Sequence, residues 1–145
     1  MPNNVADTPL GGTMTLGTQG GSYNFIAIGM PEETIAVIDV SHLGTTNFRE
    51  KLAGDLKDTS VITVRVQFVG IQGLPNIAAT VETITLTLPN NDSTAANYAG
   101  SGFLSRRKFP DMDITNVDDI MVAEFDVVFN GGYGGGSEPA FTAAT

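Results

Sequence analysis

The sequence predicts an all-β domain of antiparallel strands, and three observations indicate this fold class. The chain contains 17 Gly residues and many Thr and Val, whereas runs of helix-forming residues are few. Several segments alternate apolar and polar side chains, as strands with one buried face do. The strand-like segments follow one another without the helices that join parallel strands. We therefore expect an antiparallel β-sandwich or barrel of two packed sheets, with one long arm and at most one or two short helices.

Seven segments have the pattern of strands. The clearest one runs from Ile62 to Phe68, where Ile, Val and Phe alternate with Thr, Arg and Gln. The last one places Met121 and Phe125 on one predicted face and Glu124 on the other. The glycines of GTQGGS permit a tight turn between the first two segments. The predicted strands cover residues 13–16, 23–28, 34–40, 62–68, 83–88, 100–109 and 118–130.

The length of 145 residues indicates a single domain. We expect residues 1–12 to form a flexible N-terminal arm, residues 13–132 the β-sandwich domain with an arm at 41–58 inserted in it, and residues 133–145 a flexible Gly-rich tail. The absence of cysteine excludes disulfides and thiolate metal sites. The polar start lacks the features of a signal peptide, and no segment has the roughly 20 apolar residues of a membrane helix. We expect a soluble protein assembled in the cytoplasm.

The connection after the third strand is unusually long, at about eighteen residues where two to six are common. Its sequence lies within IDVSHLGTTNFREKLAGDLKDTSVITVRVQF and contains apolar side chains that argue against disorder. Thr46 could cap a short helix in which Phe48 and Leu52 stack, and Gly54 could end it. Two interpretations stay open: the arm folds back on its own domain, or it reaches a neighbouring subunit.

This stretch resembles the stacking-arm region of the major tail tube proteins of long, non-contractile-tailed bacteriophages, a family related to type VI secretion tube proteins. The family has a strand ending in D-V-[ST]-H-x-G-[ST]-T, an aromatic and charged arm, then G-x-[LI]-x-D and an alternating strand. The resemblance covers roughly residues 13–132. It rests on Asp39, Val40, Ser41, His42, Gly44, Thr45, Thr46, Phe48, Gly54, Leu56 and Asp58, which match in order and spacing.

The resemblance implies a structural virion protein and not an enzyme. Six copies would form a ring, and stacked rings would form the tail tube through which DNA passes as cargo. It implies tape-measure, tail-tip and tail-terminator proteins as further partners, no membrane, and a place in the tail of the virion. The family carries a helix near residues 70–79, where this sequence has two glycines and a proline and is a poor helix former. The inter-ring contact would be made by Ser41, His42, Leu43, Gly44, Thr45, Thr46, Phe48, Arg49, Glu50, Lys51, Asp55, Lys57 and Asp58.

Two sets of charged residues have predicted roles in such a tube. Glu82, Glu124 and Asp126 are candidate acids of the lumen, where they would repel DNA phosphates. A basic cluster lies near an acidic loop, and we expect either salt bridges between subunits or a solvated edge. The residues of this second set are Arg106, Arg107, Lys108, Asp111 and Asp113.

Other chemistries fit the sequence poorly. Asp39, Ser41 and His42 include the residue types of a hydrolytic triad, but neighbours on an extended segment point to opposite faces. The acidic loop DMDITNVDD lacks the Gly and the Glu of an EF-hand, which leaves a solvated loop or a weak cation site. The net charge of −9 argues against a nucleic-acid-binding surface. We expect no metal and no cofactor.

Two alternative functions remain. One is a tube protein of a type VI secretion system or a contractile tail. The other is a β-sandwich module that binds carbohydrate or protein on a virion or cell surface. Such a module needs an exposed aromatic groove, and this sequence has no Trp and three Tyr.

Overall fold

The structure, a computed structural model, describes residues 11–70, 73–77, 81–89, 94–112, 115 and 120–145. Within these ranges the regular elements are strands, all paired antiparallel, and no α-helix occurs. The prediction of an antiparallel all-β fold is therefore confirmed. The strands are β1 (Thr13–Leu16), β2 (Ser22–Ile28), β3 (Glu33–Asp39), β4 (Lys51–Thr59), β5 (Ile62–Gln67), β6 (Glu82–Thr87), β7 (Asn97–Lys108), β8 (Val122–Phe129) and β9 (Ala140–Thr142).

Six strands form a closed barrel in the order β1-β2-β5-β8-β7-β6, and β6 pairs again with β1. The closing pairs place Leu86 of β6 opposite Met14 of β1 on one side and opposite Tyr98 of β7 on the other. The barrel alternative of the prediction is therefore confirmed, whereas the two-sheet sandwich is not found, because the main sheet closes on itself.

The chain divides into two compact units. The barrel unit contains the described parts of residues 11–30 and 61–145, and the hairpin unit contains residues 31–60. The hairpin unit holds a separate two-stranded sheet of β3 and β4. The predicted N-terminal arm lies almost entirely outside the described residues. No described helix is long and apolar enough to span a membrane.

The barrel core is built from every second residue of its strands. β5 and β8 show this most clearly, because buried and more accessible side chains alternate along their whole length. Phe125 lies fully buried at the centre, with Tyr23 packed edge-on at 6.2 Å between ring centroids. A second edge-on pair joins Tyr98 and Phe129 at 5.3 Å. The alternation predicted for the last strand is confirmed from Ala123 to Phe129.

β7 is the longest strand, with 12 residues, and it changes partners along its length. One side of its first half pairs with β6, while the other side pairs first with β9 and then with β8. Backbone hydrogen bonds in both directions between Thr94 and Thr145 extend the β9 pairing. The predicted flexible tail thus contains a strand, which its three-residue length and the preceding glycines hide in the sequence.

Gly102 lies where β7 contacts both β6 and β8. A Cβ atom at this position would overlap the carbonyl oxygen of Val128, which belongs to the backbone of β8 and cannot rotate away. Glycine is therefore required at this point of the barrel wall.

We expect Gly102→Ala to lower the free energy of unfolding by about 2 to 3 kcal/mol, because β7 and β8 must separate to accept the methyl group. Chemical denaturation followed by circular dichroism measures this. The matched control is Gly29→Ala, where an added Cβ has open space and the expected change is within about 0.5 kcal/mol. Equal stability of the two variants would contradict the close approach of the strands.

Candidate functional site

The hairpin unit contains most of the residues predicted to contact another subunit. Ile38 stands opposite Leu52, and Val37 stands opposite Ala53. Residues directly opposite in an antiparallel pair share a face, so Ile38 and Leu52 lie on one face and Val37 lies on the other. Val37 is 67% exposed, and Leu52 and Leu56 are also exposed. Both faces of this small sheet therefore present apolar side chains to solvent.

The turn between β3 and β4 is held by its own hydrogen bonds. The amide of His42 donates to Thr45 Oγ1 at 3.0 Å, and the amide of Thr45 donates to the carbonyl of His42 at 2.9 Å. The amide of Gly44 donates to His42 Nδ1 at 3.0 Å. Leu43, at the tip, is 108% exposed, and Phe48 is 86% exposed. The turn is held by its own hydrogen bonds, and the two apolar side chains at and beside it are not packed against the strands of the hairpin unit.

Ser41 joins the two strands at the base of this turn. Its hydroxyl accepts from the amide of Glu50 at 2.7 Å, and the amide of Val40 donates to the carbonyl of Glu50 at 2.9 Å. The amide of Ser41 donates to Asp39 Oδ1 at 2.9 Å, which lowers the pKa of that carboxyl. The serine hydroxyl is thus hydrogen-bonded to the backbone of Glu50, the residue that precedes β4. A triad would instead need it hydrogen-bonded to a histidine.

The helix expected after Thr46 is wrong. Residues 51–59, which include Leu52 and Gly54, form strand β4. A Cβ at Gly54 would lie 3.0 Å from the Cβ of Ala36, so glycine allows the two strands to approach here. Cross-strand pairing supplies hydrogen bonds that an isolated helix of two turns could not hold in water.

Charged side chains of the hairpin unit form exposed pairs. Arg49 Nη1 lies 3.5 Å from Asp39 Oδ2, and His42 Nε2 lies 3.7 Å from Glu50 Oε2. Lys51 stands opposite Asp39, and Lys57 stands opposite Ile35. Exposed pairs of this kind contribute little to stability.

The three candidate lumen acids occupy different environments. Glu82 points into the barrel with Ile84 and Leu86 and is only 7% exposed, and its Oε1 atom has no hydrogen-bond partner in the described part of the chain. Burial raises the pKa of Tyr23, and the charge of Glu82 raises it further. Glu82 is therefore not an exposed acid, because it lies on the same inward face of β6 as Ile84 and Leu86.

Glu124 and Asp126 lie on the outer face of the barrel, where arginines neutralise them. Arg106 binds Asp126 with two nitrogens, at 2.8 and 3.1 Å, and lies 3.4 Å from Glu124 Oε2. Arg65 lies 3.4 Å from Glu124 Oε1, and Thr63 donates to Asp126 at 2.9 Å. Two positive and two negative side chains thus form one network across β5, β8 and β7.

The basic cluster does not form one patch. A register shift between Leu104 and Arg106 turns Arg106 toward β8, and its partners among the described residues are the β8 acids Asp126 and Glu124. Arg107 donates instead to Pro75 O and Asn76 Oδ1, at 3.1 and 3.0 Å. Lys108 binds Asp111 of its own chain at 3.1 Å.

Most of the acidic loop, including Asp113, lies outside the described residues. In the remainder of the chain, no cluster of three or more Asp, Glu or His could hold a metal ion.

Sequence reasoning missed an apolar pocket of about 440 Å³ in the barrel unit. It lies where β5 and β7 end and β8 begins, and we call this the pocket end of the barrel. The apolar residues Phe109 and Met112, in the run FPDM before the acidic loop, were the available signal. The lining residues are Phe68, Gly73, Leu74, Arg107, Phe109, Pro110, Met112 and Met121.

Acid should weaken the contribution of Asp126 to stability. The hydrogen bonds from Arg106 and, to a smaller extent, Thr63 hold its pKa below the ordinary value of 3.8, although partial burial opposes them. A lowered folded-state pKa stabilises the protein fully above the unfolded-state value, and this stabilisation is lost as the pH decreases through the folded-state value. We expect Asp126→Asn to lose less stability than wild type between pH 5 and pH 2, measured by urea unfolding. Gly29→Ala, which changes no titratable group and places a Cβ in open space, is the control and should keep the wild-type slope; identical slopes for all three proteins would contradict the effect.

No protein-family model and no curated protein matches the sequence. Solved structures do match it. A chain in the sheath/tube terminator of an extracellular contractile injection system, PVC, in the extended state is 18% identical, with a TM-score of 0.67 over 97% of this chain and 100% of that chain. A chain in the AFP tube terminating cap, of the anti-feeding prophage, is 14% identical, with a TM-score of 0.62 over 99% of this chain and 97% of that chain.

A third match is a chain in the PVC sheath-tube complex in the extended state, at 17% identity and a TM-score of 0.56 over 92% of this chain and 88% of that chain. At these identities, the comparisons show a shared fold. The chain has the fold of chains found in the tube, sheath and cap assemblies of contractile injection systems.

Proposed function

We propose that this chain is a structural subunit of the tube of a phage-tail-like particle, in which copies form rings and stacked rings form a hollow tube. The observation that carries this proposal is the hairpin unit, whose apolar side chains are exposed on both faces. The fold shared with chains of tube and cap assemblies supports the same role.

The hairpin unit needs a partner to be stable. An isolated two-stranded sheet is marginal in water, because it buries too little apolar surface to offset the entropy of ordering its residues. Ile38, Leu52 and Leu56 remain exposed in the single chain. Burying one such side chain contributes about 1.5 to 3 kcal/mol, so contact with a second copy would supply the missing stabilisation.

Closure of the barrel restricts where copies can meet. Pairing around a ring is not needed to satisfy the barrel strands, because each already has a neighbour on both sides. Among the described strands, β3, β4 and β9 each pair with one strand only. We therefore place the inter-subunit contacts at the hairpin unit, within the arm of residues 41–58, and beside β9.

Two resemblances bear on whether the particle is a non-contractile phage tail or a contractile injection system. The motif of the arm resembles the tube proteins of non-contractile phage tails, whereas the solved structures of similar fold come from contractile injection systems. The fold comparison includes both units and nearly the whole chain, so we favour a contractile, injection-type particle. A ring of six copies and contacts with tape-measure, tail-tip and terminator proteins belong to the same proposal.

The cargo of the tube depends on the charge of its wall. The net charge of −9 favours passage of DNA without adhesion. Glu124 and Asp126 would not contribute to this effect, since Arg65 and Arg106 balance them. If DNA is the cargo, the acidic wall must come from other carboxylates.

We expect Leu52→Ser to impair assembly without unfolding the barrel. Losing the burial of one leucine, at about 2 kcal/mol, corresponds to a roughly thirtyfold higher concentration for half-assembly. Sedimentation velocity and electron microscopy of concentrated protein measure rings and hollow filaments. Tyr133→Ser, which alters an exposed aromatic residue on the turn after β8, is the control and should assemble as wild type does. A wild-type protein that stays monomeric at every accessible concentration would refute the proposed function.

A further inference from the structure

We propose that the C-terminal segment of residues 137–145 is exchanged between copies, so that the segment of one chain pairs with β7 of a neighbouring chain in place of that chain's own segment. The inference rests on the proposed function, because exchange needs a second copy held nearby. It deepens that function by adding a contact between copies that the hairpin unit does not make, and it concerns the barrel unit alone.

One side of β7 depends on this segment for its pairing. On that side, β8 pairs with β7 only from Gly102 to Lys108. Residues 97–99 pair there with β9, and the amide of Ser101 donates to the carbonyl of Ser137 at 3.0 Å. Without the segment, this part of β7 would present unpaired backbone groups, and an edge of that kind accepts an added strand.

Backbone hydrogen bonds attach the segment, and no buried core holds it. None of residues 136–145 is among the buried residues, and the core cluster contains no residue after Phe129. Phe141 has the largest side chain of the segment and is 59% exposed. Thr94 and Thr145 join their backbones by two hydrogen bonds, at 3.1 and 3.2 Å. The segment can therefore leave its own chain without opening the barrel core.

The edge of β7 has the shape of this segment. A Cβ at Gly100 would lie 2.8 Å from Pro139 Cα, and a Cβ at Gly136 would lie 2.5 Å from Ser101 Oγ. The amide of Ser137 donates to the same hydroxyl at 2.7 Å. Two glycines thus permit the close approach. The identical segment of a second copy finds the same fit, so we assign a second copy of this chain as the occupant.

The connection between β8 and the segment has the composition of a hinge. It covers residues 130–136, NGGYGGG, and four of its glycines have φ between +69° and +87°. The turn is closed by its own hydrogen bonds: Asn130 Oδ1 accepts from the amide of Gly132 at 3.1 Å, and Asn130 Nδ2 donates to the carbonyl of Tyr133 at 3.3 Å. Opening the turn releases glycines, which lose much conformational freedom when fixed. Seven extended residues span roughly 23 Å, which is enough to carry the segment onto a copy packed beside its own chain.

Exchange has a small net cost in free energy. The backbone hydrogen bonds broken in one chain are made again in its neighbour, so the pairing itself contributes equally before and after. A neighbour held in an assembly presents its edge at an effective concentration in the millimolar range, whereas a dilute monomer keeps its own segment. In a ring or a stack, each copy gives one segment and receives one. Exchange is therefore coupled to assembly, and it links copies by main-chain pairing.

Disulfide trapping tests the exchange, because the native chain has no cysteine. The double variant Ala99→Cys/Ala140→Cys places one cysteine on β7 and the other opposite it on β9. Facing residues of an antiparallel pair have Cα atoms about 4.5 to 5.5 Å apart, which a disulfide spans. Oxidation joins the two cysteines within one chain if the segment is retained, and it joins different chains if the segment is exchanged.

The matched control is Thr85→Cys/Ala99→Cys, since Thr85 faces the same residue of β7 from β6, within the barrel wall. Both variants are assembled under reducing conditions, oxidised and then denatured without reductant. We expect at least a tenfold excess of covalently linked chains for the β9 pair over the control. Dilute monomer of either variant should form disulfides within single chains.

Electron microscopy of the same samples separates the exchange from the proposed function. Rings or tubes of the β9 variant whose disulfides stay within single chains would overturn the exchange and leave the proposed function intact. Failure of wild-type protein to assemble would overturn both. If Ala99→Cys/Ala140→Cys prevents assembly, Asn97→Cys/Thr142→Cys from the same register takes its place, and equal amounts of linked chains in this variant and in the control would overturn the exchange.

Discussion

Backbone pairing of β6 with both β1 and β7 is the interaction on which the rest of the structure depends. It converts six antiparallel strands into a closed barrel, in which each strand has a hydrogen-bonded neighbour on both sides. Closure also fixes which side chains point inward, and it packs Phe125 and its neighbours at the centre without help from helices. The barrel therefore has the core and the hydrogen bonding of a self-sufficient domain.

The hairpin unit stands in contrast, because among the described strands β3 and β4 pair only with each other and several of their apolar side chains are exposed. The barrel has a buried core, whereas the hairpin leaves apolar surface exposed, and in the proposed assembly that surface would gain stability from contact with another copy. The hydrogen bonds of the turn at residues 42–45 matter for this reason. They hold the exposed turn in one arrangement, although both faces of the small sheet carry exposed apolar side chains.

Local sequence patterns were sufficient for the barrel strands but not for their closure. Alternation of apolar and polar residues identified β5 and β8, whose inward faces the structure confirms. The same rule of alternating faces, applied to β6, would have placed Glu82 inside the barrel with Ile84. Closure could not be inferred, because the pairing of β6 with β1 joins residues about 70 positions apart and leaves no local signature.

The candidate site was harder to predict, for three reasons. β4 has the sequence KLAGDLKDT, which is poor in β-branched residues and has no buried face to impose alternation. The pocket is assembled from loops whose residues are distant in sequence. The neutralisation of Glu124 and Asp126 depends on a register shift in β7 that turns Arg106 toward them. The strand structure of the segment that the sequence marks as an arm was not predictable from its pattern.

The hairpin unit is inserted between β2 and β5, which are neighbours in the barrel with Ile28 standing opposite Val64. The two chain ends that an inserted segment must join are thus already side by side, and a short turn would close the barrel just as well. Evolution could lengthen, shorten or exchange this insert without rebuilding the domain that carries it. The insert could then diverge in sequence and length between proteins of this fold, whose matched chains share fewer than one residue in five with this one.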